Sequence, residues 1–195
     1  MKSDSLIIFD WDDTLFPTSW LIEKGLKLNE LSDISRFIVY FQELDNAIYK
    51  LLKMSLTLGI VLIVTNANMS WIKMSKKILV KTSTLIDENI NIISARDNYN
   101  GLYDVNDWKV NTFKNDIAIY IHNSEQIISI GDAKYEYDAL VSLREYVPKS
   151  KFLKTIKFVG TPTFNMIIDQ IDVVEKSLRD ILECRSCMDL RFNVI

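Results

Sequence analysis

Short apolar runs alternate with longer amphipathic stretches along the chain. The runs at Ser5–Phe9 (SLIIF), 60–64 (IVLIV), 90–94 (INIIS), 126–130 (QIISI) and 155–159 (TIKFV) are too short for core helices. They lack a regular polar alternation, so each is expected to be a strand buried on both faces. Between them, 37–59, 69–83, 107–122, 134–147 and 163–182 read as helices, most of them carrying apolar residues at helical spacing. Gly59 is placed to end the first of these helices, Asp107 to cap the third, and Pro148 to stop the fourth. Strands that alternate with helices build βαβ units. The pattern therefore predicts one α/β domain over 1–195 with a three-layer, Rossmann-like architecture. A parallel sheet of about five strands would lie between helices on both faces.

In such sheets ligands bind beyond the carboxyl ends of the strands, where the strand order reverses. The residues after each run are therefore the ones to read. Asp10-Trp11-Asp12-Asp13-Thr14 follows the first, Thr65-Asn66 the second, Ala95-Arg96-Asp97 the third and Gly131-Asp132 the fourth. Glu136 lies one helical turn beyond Asp132, and Lys109 stands at the start of the helix before the fourth run. Three carboxylates at positions 10, 12 and 13 repel one another, which calls for a cation. Mg²⁺ suits them, because it takes oxygen ligands from one or two carboxylates, water and phosphate. Asp10 and Asp132 would supply those carboxylates if the first and fourth strands are neighbours. A lysine and a hydroxyl would hold the remaining phosphate oxygens.

Composition narrows the classes. The chain of 195 residues is 48% hydrophobic and 25% charged, enough for an ordinary core. A net charge of −3 argues against a broad nucleic-acid surface. No secretory leader or membrane-length apolar run is read, so the expected compartment is intracellular, in the cytoplasm. Cys184 and Cys187 form C-x-x-C, but the single histidine, His122, is distant and the pair follows a helix instead of opening one. They read as free thiols.

The motifs LIIFDWDDTL, IVLIVTN, DWKVNTF and IISIGDAKYE, in this order, resemble those of the haloacid dehalogenase superfamily of phosphohydrolases. The resemblance spans essentially the whole chain. It implies that Asp10 is a nucleophile that forms an aspartyl-phosphate. It makes Asp12 the acid and then the base, with a backbone carbonyl on Mg²⁺. Thr65 and Lys109 would hold the transferring phosphoryl group, Asp132 would bind Mg²⁺ directly, and Glu136 would belong to the metal site as an acid behind the direct ligands or through water. Asp138 stands as a substitute for Glu136, and Lys114 as a rival to Lys109. Asn66 and Arg96 would contact the substrate, or serve as a turn residue and a loop salt bridge. Asp13 and Thr14 are expected to brace the loop. Trp11 would shape the entrance or pack beneath it, and Tyr135 and Tyr137 would pack on the last helices. Dehalogenating members lack the second aspartate, so Asp12 favours phosphoryl transfer.

Little room remains for an inserted cap domain. Capless relatives often act on phosphates of proteins or nucleic-acid ends, and some act on small molecules and close the site by oligomerising. FDWDDTLFPT is similar to the magnesium-dependent phosphatases of the superfamily, linked to phosphotyrosine and sugar phosphates. The expected activity is Mg²⁺-dependent hydrolysis of a phosphomonoester. The same residues could transfer the phosphoryl group to an acceptor hydroxyl, as a mutase or phosphotransferase does. A non-catalytic protein that keeps the fold to bind phosphorylated partners is the third reading.

Overall fold

The computed structural model of the chain describes residues 4–193. In chain order the elements are β1 (Ser5–Phe9), α1 (Thr18–Glu23), α2 (Leu31–Arg36), α3 (Ile38–Leu58), β2 (Ile60–Thr65), α4 (Met69–Lys76) and α5 (Val80–Asn89). Then follow β3 (Asn91–Ser94), α6 (Ala95–Tyr99), a 3-10 turn (Val105–Asp107), α7 (Trp108–Asn111), a π-helical turn (Thr112–Asp116) and α8 (Ala118–Asn123). The chain continues with β4 (Gln126–Gly131), α9 (Lys134–Ser142), a 3-10 turn (Leu143–Glu145), β5 (Phe152–Lys157), α10 (Phe164–Glu183) and β6 (Met188–Arg191).

The six strands form one parallel sheet in the order β3-β2-β1-β4-β5-β6. Alternate residues of each inner strand face opposite ways. Ile7, Phe9, Val61, Ile63, Ile128 and Ile130 pack under α3, α4, α5 and α10. Leu6, Ile8, Leu62, Val64 and Ile127 pack under residues 113–121 and α9. Both faces are therefore covered, which explains why the strand runs are apolar throughout. Each fully buried side chain of this kind contributes about 1.5–3 kcal/mol relative to exposure.

The differences from the sequence reading have local causes. The stretch 69–83 is two helices, because the Asp45 carboxylate on α3 accepts the N–H groups of Lys81 and Thr82 and so starts α5 afresh. The stretch 107–122 is broken by the π-helical turn, and Asp107 makes no cap. Instead Asp104 accepts the Asn106 N–H in the preceding 3-10 turn. Residues 95–99, outside every helix the sequence predicts, form α6, with the Ser94 hydroxyl accepting the Asp97 N–H. β5 starts earlier than expected because Phe152 pairs with Gln126. The short, polar β6 was missed. It is an exposed edge strand held by its pairing to β5.

Strand order reverses at β1, whose neighbours are β2 and β4. Phe9 pairs with Ile130, and the Asp10 N–H donates to the Ile130 carbonyl at 2.9 Å. Asp10 and Asp132 therefore leave the sheet side by side at the switch point. Among the described residues, no helix is long and apolar enough to cross a membrane.

Gly59 ends α3 where the chain presses on β1. A Cβ there would lie 2.4 Å from the Ser5 carbonyl oxygen, a backbone atom that cannot swing aside. Gly59→Ala is expected to lower stability by about 1–3 kcal/mol, read as an earlier urea midpoint with an unchanged slope. An unchanged midpoint would contradict this packing.

Candidate active site

The loop after β1 is built from backbone bonds and two short acids. The Trp11 carbonyl accepts the N–H groups of Leu15 and Phe16 at 2.9 and 2.8 Å. Asp13 takes φ 54°, a left-handed conformation that aspartate tolerates better than most residues. Its carboxylate accepts the Ser19 N–H at 2.8 Å and the Ser19 hydroxyl, tying the loop to the start of α1. Asp13 is thus a loop brace. Trp11 lies wholly buried beneath the loop, stacked on Phe16, with its indole N–H donating to Ser75 Oγ at 2.9 Å. Thr14 is buried there as well.

Lys109 reaches the strand ends from α7. Its ammonium donates to Asp10 Oδ1 at 2.6 Å and to Glu136 Oε1. All three residues are buried. Glu136 Oε2 accepts the Ala133 N–H at 3.0 Å, so both of its oxygens are engaged. Gly131 makes this possible: a Cβ there would lie 2.2 Å from Glu136 Cγ. The glycine before Asp132 is therefore a space requirement for Glu136. Of the two candidate acids Glu136 meets Lys109, whereas Asp138 pairs with Lys134 at 3.5 Å and does not line the cavity. Lys114 likewise lies over the Tyr146 ring, away from the strand ends.

Asp10, Asp132 and Glu136 each bring a carboxylate oxygen within 4.8 Å of the others. Three carboxylates facing one ammonium leave two negative charges uncompensated when all are ionised. The consequence shows in their proton affinities. Burial pushes Asp10 well above the usual carboxylate range, against the pull of Lys109, and Glu136 adds to the rise. Burial, then Glu136 and Asp13, push Asp132 up to about 7. Burial alone would lower Lys109, but Asp10 and Glu136 outweigh it and keep the ammonium charged.

Asp12 sits beside this group. Its Oδ1 accepts the Thr18 hydroxyl at 2.5 Å and the Trp71 indole N–H at 2.7 Å. Burial raises its pKa, and these two hydrogen bonds oppose the rise. Asp10, Asp12, Lys109, Asp132 and Glu136 together line one side of an open cavity of about 530 Å³. Asn66, Trp71, Arg96 and Tyr135 line it elsewhere.

Thr65 ends β2 but is fully buried, does not line the cavity, and its hydroxyl accepts the Ala67 N–H at 3.0 Å. The next residue, Asn66, does line it, and its Oδ1 and Nδ2, both buried, have no partner among the described residues. Arg96 is exposed at the rim and makes no salt bridge among the described residues. The loop brace at that corner is Asp97, which accepts the Met69 N–H at 2.9 Å. Tyr135 faces the cavity instead of packing on the last helices, while Tyr137 lies against Arg191 near β6. Cys184 and Cys187 are free and exposed, and His122 stands apart at the end of α8.

Thr18 and Trp71 were missed by sequence reading. Trp71 was within reach of it: Asn68, which caps α4 by accepting the Trp71 N–H, follows β2 closely and aims this tryptophan at the strand ends. Thr18 carried no such signal.

The donors suit a hard divalent cation. Among the described residues no side chain pairs with Asp132, and the three acids, when ionised, carry more negative charge than Lys109 offsets. Glu136 fits less well as a direct ligand, because Lys109 and the Ala133 N–H occupy it. No family model, curated protein or solved structure matches the chain.

The raised carboxyls give a pH dependence whose sign can be worked out. An unfolded aspartate titrates near 4, whereas folded Asp132 holds its proton up to about 7. Between those values the folded state binds more protons, so stability falls as the pH rises. Urea midpoints measured with chelator should decline from about pH 5 to about pH 8, and Asp132→Asn should flatten the decline. A flat wild-type profile would contradict the buried charge excess.

Proposed function

We propose that the chain is a Mg²⁺-dependent phosphatase that hydrolyses a phosphomonoester through an aspartyl-phosphate on Asp10, as the resemblance to the haloacid dehalogenase superfamily implies. The observation that carries this reading is the buried Lys109 ammonium held between Asp10 and Glu136 at the switch point of a parallel sheet. Such a lysine neutralises a carboxylate nucleophile and the phosphoryl oxygens it attacks.

In this reading the free oxygen of Asp10 attacks phosphorus, and the bond to the leaving oxygen breaks. Asp12 gives that oxygen its proton, then takes one from the water that attacks phosphorus and returns Asp10 to a carboxylate. Asp10 and Asp132 would hold Mg²⁺ together with the Asp12 backbone carbonyl, and Glu136 would serve by fixing Lys109. The metal supplies charge neutralisation for the acids and the phosphoryl oxygens. In this reading Asn66, which lines the cavity and whose amide is unpartnered among the described residues, would contact a phosphoryl oxygen, and Thr65 holds the turn before it. Arg96 offers a rim cation to an anionic part of the substrate. The open cavity leaves room for a substrate on a small molecule or a macromolecule.

Purified protein with an aryl phosphate and Mg²⁺ should release phosphate, and chelator should stop it. Asp10→Asn should reduce turnover by at least about 10³-fold while the protein remains folded. Wild-type turnover in that variant would overturn the covalent route. Formation of a stable beryllium fluoride adduct on Asp10 without any turnover would favour a phosphate-binding role. Mg²⁺ should also stabilise the fold, by about 2.7 kcal/mol at a hundredfold excess over Kd. No thermal shift across a wide Mg²⁺ range would contradict the metal site.

A further inference from the structure

We propose that Trp71 and Thr18 are positioning residues that confine the transferable proton of Asp12 to Oδ2, an assignment that rests on the phosphatase reading. Both donors converge on Oδ1: the Thr18 hydroxyl at 2.5 Å and the Trp71 indole N–H at 2.7 Å. A carboxylate oxygen has two lone-pair directions, and here both are taken. A proton on Asp12 is left with Oδ2, which has no partner among the described residues in a side chain that lines the cavity.

The two donors come from different helices and both rest on Phe16. Thr18 opens α1, and its N–H donates to the Phe16 carbonyl at 2.8 Å. Trp71 is held in the first turn of α4 by its own N–H to Asn68 Oδ1 at 2.8 Å, and its ring meets Phe16 edge-on at 5.9 Å. Ser75 closes a circuit, donating to the Trp71 carbonyl and accepting the Trp11 indole N–H. The clamp is thereby tied back to the loop that carries Asp10 and Asp12. With donors from two elements, rotation of the carboxylate would break both bonds. In the first half-reaction the Oδ2 proton passes to the leaving oxygen as its bond to phosphorus breaks and the Asp10 oxygen–phosphorus bond forms. In the second, Oδ2 takes a proton from water as the water oxygen bonds to phosphorus and the Asp10 bond breaks. The Oδ1 contacts persist through both.

The test is leaving-group dependence. A nitrophenyl phosphate needs little protonation of its leaving oxygen, whereas an alkyl phosphate needs it fully. Trp71→Phe keeps the ring but removes the N–H. It should lower kcat on the alkyl ester about tenfold or more beyond any loss on the nitrophenyl ester, with KM little changed. Thr18→Val should act in the same direction, and Thr18→Ser should restore the wild-type ratio. In the Asp12→Asn background Trp71→Phe should cost nothing further. Equal losses on both esters, or a change in thermal stability alone, would overturn the inference and leave the phosphatase reading intact. No Mg²⁺-dependent release from either ester by the wild-type protein would overturn the phosphatase reading and this inference with it.

Discussion

The contact on which the rest depends is the buried Lys109 ammonium between Asp10 and Glu136. It joins the end of β1, the start of α9 and α7, three elements far apart in sequence. A charge in a low-dielectric interior is tolerable only when paired and hydrogen-bonded. Removing one partner of such a pair commonly costs about 3–5 kcal/mol, because it strands the other. Every nearby feature accommodates this contact: Gly131 yields the space for Glu136, the Ala133 N–H fills its second oxygen, and the sheet aligns Asp10 with Asp132.

Other buried polar groups in the molecule show what a purely structural role looks like. Asp45 accepts two N–H groups and starts α5. Lys154, buried and without an acidic partner among the described residues, donates to Gln126 Oε1 and to the carbonyls of Ile181 and Cys184, fastening the end of α10 to β5. These groups are satisfied within the protein. Around the cavity the balance differs. Among the described residues, the buried side-chain polar atoms without a partner are Thr14 Oγ1 and both polar atoms of Asn66, all in the loops after β1 and β2. Native interiors leave few such atoms, and of these two residues Asn66 lines the cavity while Thr14 does not.

The cavity also divides its labour by side. Its acids and Lys109 gather where β1 and β4 end, while Trp71, Tyr135, Arg96 and Asn66 arrive from the loops and helices beyond β2, β3 and β4. This is the arrangement expected at the carboxyl ends of an open parallel sheet, where a rigid scaffold supports loops of varied chemistry.

Fold class was legible in the sequence because the inner strands β1, β2 and β4 are buried on both faces and read as largely apolar runs. The acids after the first and fourth runs were legible because short polar residues directly beyond buried strands have few other places to be. Helix direction favoured Lys109 over Lys114, but it said of Glu136 and Asp138 only that they face different ways; the contacts of Glu136 with Lys109 and of Asp138 with Lys134 depend on the packed structure. The remainder depended on contacts that no local pattern encodes. β6 exists through its edge pairing, and α5 begins where Asp45 of a distant helix meets its N–H groups. Thr65 is covered while its neighbour Asn66 reaches the cavity lining, because the turn folds the threonine hydroxyl onto the Ala67 N–H. Trp71 and Thr18 became partners of Asp12 only when α1 and α4 closed on the same loop. The sequence by itself determined which residues could be buried and which elements could form, since both follow from local spacing. The tertiary structure alone decided which charges share a lysine and which oxygen of Asp12 stays free, since both require elements distant in the chain to meet within a hydrogen bond.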